Sequence, residues 1–285
     1  MTYQGKMTRR AFGLSLAAFA AGSLKASADS ARVALLSDLH ISRNADEEYR
    51  GFKPSANLKK AVEEILTRNW DGAVLTGDLA RMEGLAEDYE MLKGLLQPLA
   101  ARMPLHMTLG NHDLRRNFLS AFGPQKGAQP VKDKHVTVAE TAAVRLICLD
   151  SLLFTPQVPG LLGKAQRTWL DEFLRSAGQM PTVLFFHHTV DDRDDSLMDF
   201  PRLWERIRGD RNVKAVVYGH SHQWSLEERE GIHFVNLPAL GYNFNESQPV
   251  GWVEAAFTQS GAELTVHAVG GNLSLNGKSF PLKWR

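Results

Sequence analysis

Short apolar runs alternate with amphipathic stretches along most of the chain. Residues 33–36, 73–75, 105–109, 144–149, 182–186 and 213–218 form the apolar runs and read as strands. Residues 57–68, 85–96, 164–176 and 203–208 lie between them with helical spacing. In the first of these, Leu58, Val62, Ile65 and Leu66 share one face, while Lys59, Lys60, Glu63 and Glu64 cover the other. Strands that are apolar throughout are buried on both faces, and intervening helices make their pairing largely parallel. The pattern changes after His222. Residues 223–228, 232–237, 250–257 and 262–269 are strand-like, with turns at Glu230-Gly231 and Ser260-Gly261 and no helix-length segment between them. A mostly antiparallel second sheet is expected there, within one layered α/β domain.

Polar clusters follow five of the predicted strands. They are Asp38 and His40, Gly77-Asp78, Gly110-Asn111-His112-Asp113, His187-His188, and Gly219-His220-Ser221-His222. In parallel α/β sheets the ligand site lies beyond the carboxyl ends of the strands, so all five should meet at one edge. Asp38 and His40 are two residues apart and would point the same way on an extended backbone. Glycine before Asp78, Asn111 and His220 lets the chain turn sharply where a side chain would obstruct a metal.

The composition narrows the chemistry. Cys148 is the only cysteine and lies in an apolar run, where it reads as a buried strand residue. Any metal is therefore held by nitrogen and oxygen. Imidazole, carboxylate and amide oxygen suit Zn, Mn or Fe. Asp38, His40, Asp78, Asn111, His187, His220 and His222 are too many ligands for one tetrahedral ion, and two ions sharing a carboxylate account for the number. The net charge of +1, with no basic tract, gives no indication of nucleic-acid polymer or anionic membrane as partner.

Residues 1–28 read as an address. Thr8-Arg9-Arg10-Ala11-Phe12 precedes an apolar stretch over 13–24, then Lys25 and Ala26-Ser27-Ala28, a small-x-small cleavage site. The arginine pair resembles the twin-arginine export signal. That implies the twin-arginine machinery as a partner and a periplasmic or secreted destination, with residues 29–285 as the mature domain. An ordinary export signal, or a retained anchor, is the alternative. The stretch is too short for a stable membrane span.

The ordered set D-x-H, G-D, G-N-H-D, H-H and G-H-x-H resembles the calcineurin-like metallophosphoesterase superfamily, over about residues 33–222. The chain is most similar to its class III cyclic-nucleotide phosphodiesterase and glycerophosphodiesterase branch. The resemblance implies a four-layer α/β/β/α sandwich with two mixed β-sheets, of the metallo-dependent phosphatase-like type. It implies one metal on Asp38, His40, Asp78 and His222, and a second on Asp78, Asn111, His187 and His220. His112 would contact the phosphate and protonate the leaving oxygen, and Asp113 would be structural or support a ligand. Hydrolysis of small phosphodiesters by a hydroxide bridging the two ions follows, with phosphomonoesters as further substrates. An exported phosphomonoesterase or nucleotidase, and a non-catalytic metal-binding protein, are the alternatives. Two departures stand out. The run Gly77-Asp78-Leu79-Ala80-Arg81 lacks the protein-phosphatase signature, and Thr189 follows the histidine pair where this branch usually has proline.

Weaker candidates surround these. Arg43 and residues 44–54 could face substrate, and Arg115 and Arg116 could contact phosphate beside Asn111 and His112, although solvent-exposed arginines are an equal reading. Residues 191–195 read as a solvated acidic loop. His106, His135, His233 and His267 read as structural, and Tyr242, Phe244 and Trp252 as packing residues that could also stack on a base.

Overall fold

A computed structural model describes residues 29–285. The export signal expected over residues 1–28 lies outside the described residues. Among the described residues no helix is long and apolar enough to cross a membrane.

Two six-stranded sheets face each other. The first runs β12(Ser279–Lys283), β11(Gly261–Gly271), β10(Pro249–Thr258), β1(Ser30–Leu36), β2(Gly72–Thr76), β3(Leu105–Thr108). The second runs β4(Thr137–Glu140), β5(Arg145–Cys148), β6(Thr182–Phe185), β7(Val213–Tyr218), β9(Ile232–Asn236), β8(Ser225–Arg229). Pairing from β1 through β2 to β3 is parallel, as it is from β5 through β6 and β7 to β9. Helices α1(Pro54–Ile65) and α2(Ala86–Ala100) pack on the outer face of the first sheet, and α4(Gly163–Ser176) and α5(Phe200–Ile207) on that of the second.

The two-residue period of a strand explains this layering. Val33 and Leu35 of β1 turn inward to meet Leu146, Cys148, Val183, Phe185 and Val217 of the facing sheet. Ala34 and Leu36 turn outward against Leu58, Ile65 and Leu92 of the helices. Both faces are dry, so the strand reads as one apolar run. Cys148 lies buried in β5, and burial pushes its thiol up to about 12, which makes it inert.

The expected antiparallel second sheet does not form from the tail. Its strands divide: β8 and β9 complete the second sheet, with β9 parallel to β7, while β10, β11 and β12 extend the first through an antiparallel β1–β10 pair. β10 is buried along most of its length, which suits a place between β1 and β11 rather than a sheet of its own. Three elements escape the sequence pattern. Helix α3(Arg115–Phe122) buries only Phe118, and the edge strands β4 and β12 are short and half-exposed.

Candidate metal centre

The five polar clusters meet where β1, β2, β3, β6 and β7 end. Three backbone bonds lace the loop after β1 to the loop after β2: Asp38 N to Gly77 O (3.2 Å), His40 N to Asp78 O (2.9 Å) and Ile41 N to Leu79 O (3.0 Å). From the other side Leu240 N and Gly241 N donate to Ser37 O and Asp38 O, each at 2.9 Å. Asp38 and His40 are not on extended backbone, as their spacing suggested. Both have positive φ, 51° and 48°, because the chain has already left the strand at Leu36. Asp78 (47°), His220 (73°) and His222 (55°) share this conformation, which β-carbon sterics disfavour.

The three glycines act in different ways. Gly77 has φ of 90°, the freedom expected of it. Gly110 and Gly219 are needed for close approach: a β-carbon on the first would strike Asp78 and His187, and on the second Ser37 and Asp38.

The donor atoms form overlapping groups: Asp38 with His40 and His222, His40 with Asp78 and His112, and Asp78 with His187 and His220. Asp78 joins them. Its Oδ1 accepts from His112 N at 2.9 Å. Its Oδ2 lies 3.3 Å from His187 Nε2, 3.8 Å from His40 Nε2 and 3.9 Å from His112 Nε2. Asp38 Oδ1 is 3.4 Å from His222 Nε2, and Ser37 Oγ donates to Asp38 Oδ2.

The imidazoles are oriented by backbone carbonyls. His187 Nδ1 donates to Thr76 O (2.8 Å), His222 Nδ1 to Tyr242 O (2.6 Å) and His40 Nδ1 to Arg81 O (3.3 Å). A carbonyl only accepts, so each Nδ1 carries a proton, and Nε2 is the atom whose lone pair turns inward whenever the ring is neutral. Two such nitrogens, His40 Nε2 and His222 Nε2, then face each other at 3.1 Å, and His187 Nε2 and His220 Nδ1 are equally close. Facing lone pairs repel unless a cation lies between them. With metal–nitrogen bonds of 2.0–2.1 Å, that separation corresponds to a ligand angle of about 100°, suited to tetrahedral or octahedral coordination. Asn111 adds a second sign. It is buried, and its Oδ1 has no hydrogen-bond partner, an acceptor waiting for a ligand. The residues fit two cations.

The electrostatics agree. Burial favours the neutral form of Asp38, but His222 and His187 outweigh it and hold the carboxyl below its usual range. Burial lowers His187, yet Asp78 and Asp38 overcome this and raise it to about 9. Burial takes His40 down to about 3, and burial with His187 takes His220 to about 4. Without metal, one buried imidazolium stands where positive charge is wanted.

A profile of the calcineurin-like phosphoesterase family matches residues 31–224. The chain belongs to that family. It is 28% identical over 228 residues to a probable cyclic nucleotide phosphodiesterase of Synechococcus, covering 77% of this chain and 85% of that protein. It is 27% identical over 218 residues to a glycerophosphodiester phosphodiesterase of Enterobacter lignolyticus, covering 73% and 76%. The fold matches a dimetal phosphatase from Danio rerio with a TM-score of 0.70 at 14% identity, covering 89% and 99% of the two chains. It also matches a purple acid phosphatase from yellow lupin seeds with a TM-score of 0.63 at 17% identity, covering 89% and 54%.

In this member of the calcineurin-like family, His112 belongs to one donor group and stands at its partly exposed edge. Its Nδ1 donates to Met82 O at 2.9 Å, and its side chain keeps 20% of its surface exposed. Asp113 is fully buried and ties two ligand loops together. It accepts from Leu79 N, Ala80 N and Gly110 N, and from Tyr89 Oη at 3.0 Å. Arg115 differs from the phosphate contact expected of it: Nε and Nη2 hold buried Asp150 at 2.7 and 3.0 Å, and Nη2 also reaches Leu152 O. His188 turns from the donor groups to meet Ser151 Oγ at 2.8 Å. Trp252 is core, donating to Glu64 and stacked on His267. Phe244 is half-exposed and stacks on His222 at 4.3 Å. The orienting carbonyls of Thr76, Arg81, Met82 and Tyr242 carry no signal in the sequence, because every residue has a carbonyl. Ser37, adjacent to Asp38, was the one helper within reach of the motif.

Proposed function

We propose that the protein is a dinuclear metal-dependent phosphodiesterase acting on small diesters of the cyclic-nucleotide or glycerophosphodiester type. The observation that carries this reading is Asp78 Oδ2, set within 4 Å of His40 and of His187, which belong to different donor groups. Asp38, His40, Asp78 and His222 would hold one ion, and Asp78, Asn111, His187 and His220 the other. Bound cations of the Mn, Fe or Zn type neutralise the phosphate and activate water at neutral pH.

The chain's own residues do the rest. The carbonyls of Thr76, Arg81 and Tyr242 fix the donor imidazoles in one tautomer before substrate arrives. His112, fixed at Nδ1 by Met82 O, keeps Nε2 for a proton that it can give to the leaving alkoxide. Asp78 Oδ1 accepts from the His112 backbone and so couples the acid to the carboxylate that would serve both ions.

The test is turnover of bis(p-nitrophenyl) phosphate against p-nitrophenyl phosphate. Preference for the diester, with loss in chelator and about two metals per chain, supports the reading. Preference for the monoester would favour an exported phosphomonoesterase instead. We also propose export by the twin-arginine route to the periplasm or beyond, supported by Arg9 and Arg10 ahead of the apolar stretch. Replacing both arginines by lysine should leave the protein in the cytoplasm.

A further inference from the structure

The donor imidazoles are braced in two different ways. His187 donates to the carbonyl of Thr76, the last residue of β2, and β2 lies between β1 and β3 in its sheet. His40 and His222 donate instead to Arg81 O and Tyr242 O, and both of those residues lie in loops. A loop carbonyl orients an imidazole only as firmly as the loop itself is held.

One short segment, residues 47–50, grips both loops. Glu47 Oε1 accepts from Arg81 Nε at 2.6 Å. Partial burial favours the neutral form of Glu47, but hydrogen bonds from Ser42 and Arg81 outweigh it and keep the carboxyl below its usual range. Tyr49 fills the space between the loops. The guanidinium carbon of Arg81 lies 4.5 Å from its ring centroid, and Tyr242 meets the same ring edge-on at 4.7 Å. Arg50 holds the second loop: Nε donates to Asn243 O at 3.0 Å and Nη2 to Phe244 O at 3.1 Å, directly after Tyr242.

Arg50 reaches those carbonyls from an unfavourable backbone. Tyr49 and Phe52 exchange main-chain hydrogen bonds of 2.8 and 2.9 Å, which closes a two-residue turn over Arg50 and Gly51. Both turn residues have positive φ, 53° and 81°. A turn of this kind favours asparagine followed by glycine, and an arginine there adopts its conformation at a cost. The guanidinium contacts offset that cost.

We propose that Glu47 and Arg50 are positioning residues for one metal site only. Through Arg81 O and Tyr242 O they set the imidazoles of His40 and His222, and hence the affinity for the ion on Asp38, His40, Asp78 and His222. The ion on Asn111, His187 and His220, braced from inside the sheet, is independent of them. This rests on the dinuclear reading above and adds to it a surface segment that tunes one of the two sites.

The test uses Glu47→Ala, Arg50→Asn and Arg50→Lys. Arg50→Asn suits the turn, so the hairpin survives while the guanidinium is lost. Each change is made in a His187→Ala chain, which keeps the loop-braced site, and in a His222→Ala chain, which keeps the other. Metal-free protein is titrated with Mn2+ by calorimetry. With His187→Ala, the Glu47→Ala and Arg50→Asn changes should each raise Kd about tenfold, the usual scale for losing a group that orients a ligand. Arg50→Lys, which keeps a cation at the same carbonyls, should recover part of the loss. With His222→Ala, every shift should stay below about twofold. In 15N-histidine spectra of metal-free chains with both histidines intact, the variants should move the ring nitrogens of His40 or His222 and leave those of His187 in place. Equal weakening in both backgrounds, no weakening in either, or unmoved His40 and His222 signals would overturn the inference and make the segment a strut between loops. A wild type that takes up a single Mn2+ would overturn the dinuclear reading as well. Selective weakening in a protein that hydrolyses no diester would uphold the inference and overturn the phosphodiesterase reading.

Discussion

Replacing Asp113 by asparagine tests whether the ligand loops are held by one buried carboxylate. Oδ1 of Asp113 accepts from Ala80 N at 3.1 Å and Tyr89 Oη at 3.0 Å, Oδ2 accepts from Gly110 N at 2.9 Å, and Leu79 N is 3.2 Å from both. The loop carrying Asp78 is thus bound to the loop carrying Asn111. Burial and the nearby charge of Asp78 push this carboxyl up to about 6, so an assay at pH 8 compares a true carboxylate with the amide. In the better amide orientation the oxygen keeps Ala80 and Tyr89, while the NH2 confronts Gly110 N–H. One charge-assisted bond is lost and a buried donor is left opposed, a cost of ~2–4 kcal/mol. For a chain of this size that is roughly 5–15 °C in Tm. Displacing Asp78 and Asn111 together should also weaken metal binding about 10–100-fold, as is usual when a group supporting a ligand is changed. Tyr89→Phe removes one of the four donors and strands Leu114 N, which donates to Tyr89 Oη at 2.9 Å. It should cost less, ~1–2 kcal/mol. Thermal unfolding and calorimetric metal titration of both variants measure these effects. Uptake of both ions by Asp113→Asn with unchanged affinity would refute the argument, whatever happened to stability.

His112→Ala should keep both metals and lose ~10²–10⁴-fold in kcat on substrates with poor leaving groups, with far less effect on a p-nitrophenyl ester. Equal losses on good and poor leaving groups would count against proton donation. Asp78→Ala should leave the protein with neither ion, whereas His222→Ala should still bind one; elemental analysis of purified variants tells the two apart. In metal-free protein burial lowers His187 but Asp78 and Asp38 raise it to about 9, so at pH 7 a metal must displace its proton. Affinity should therefore climb by up to about tenfold per pH unit between 7 and 9 and level off above. Calorimetry in buffers of different ionisation enthalpy detects the released proton, and a flat profile would exclude it.

The site was more legible in the sequence than the topology. Asp38, Asp78, Asn111, His187 and His220 each follow an apolar run, and a strand buried on both faces carries few such residues before its end, His106 and His233 being exceptions here. Their meeting at one edge then follows from parallel pairing. The partition of the tail strands was not legible, because β8 to β11 look alike in pattern while β1 and β7 each had an open edge to fill. Helix α3 escaped because eight residues with Phe118 as the sole buried side chain show no period. Arg115 misled for a local reason. An arginine next to G-N-H-D looks free until Asp150, 35 residues away, is seen beneath it. The braces at the site were hidden in another way, since backbone carbonyls are identical in every sequence.

The two i, i+2 motifs share a backbone device that neither strand nor helix periodicity supplies. In D-x-H, Asp38 and His40 are left-handed around Leu39, and in H-x-H, His220 and His222 are left-handed around Ser221. One motif leaves β1 of the first sheet and the other leaves β7 of the second, so the device stands on both sides of the cleft. Each left-handed residue costs ~1–3 kcal/mol and persists only where its surroundings over-determine it. Here they do: His220 N donates to Asp38 Oδ2 at 3.1 Å, joining the motifs, while Gly77 O and Asp78 O hold the first of them. An extended D-x-H would send both side chains along one face of the sheet. The left-handed form lets them converge past the strand end, where His222 meets them from the opposite sheet. The spacing shared by the two motifs therefore reflects a strained turn used twice, and the strain is what brings ligands from two sheets within reach of common cations.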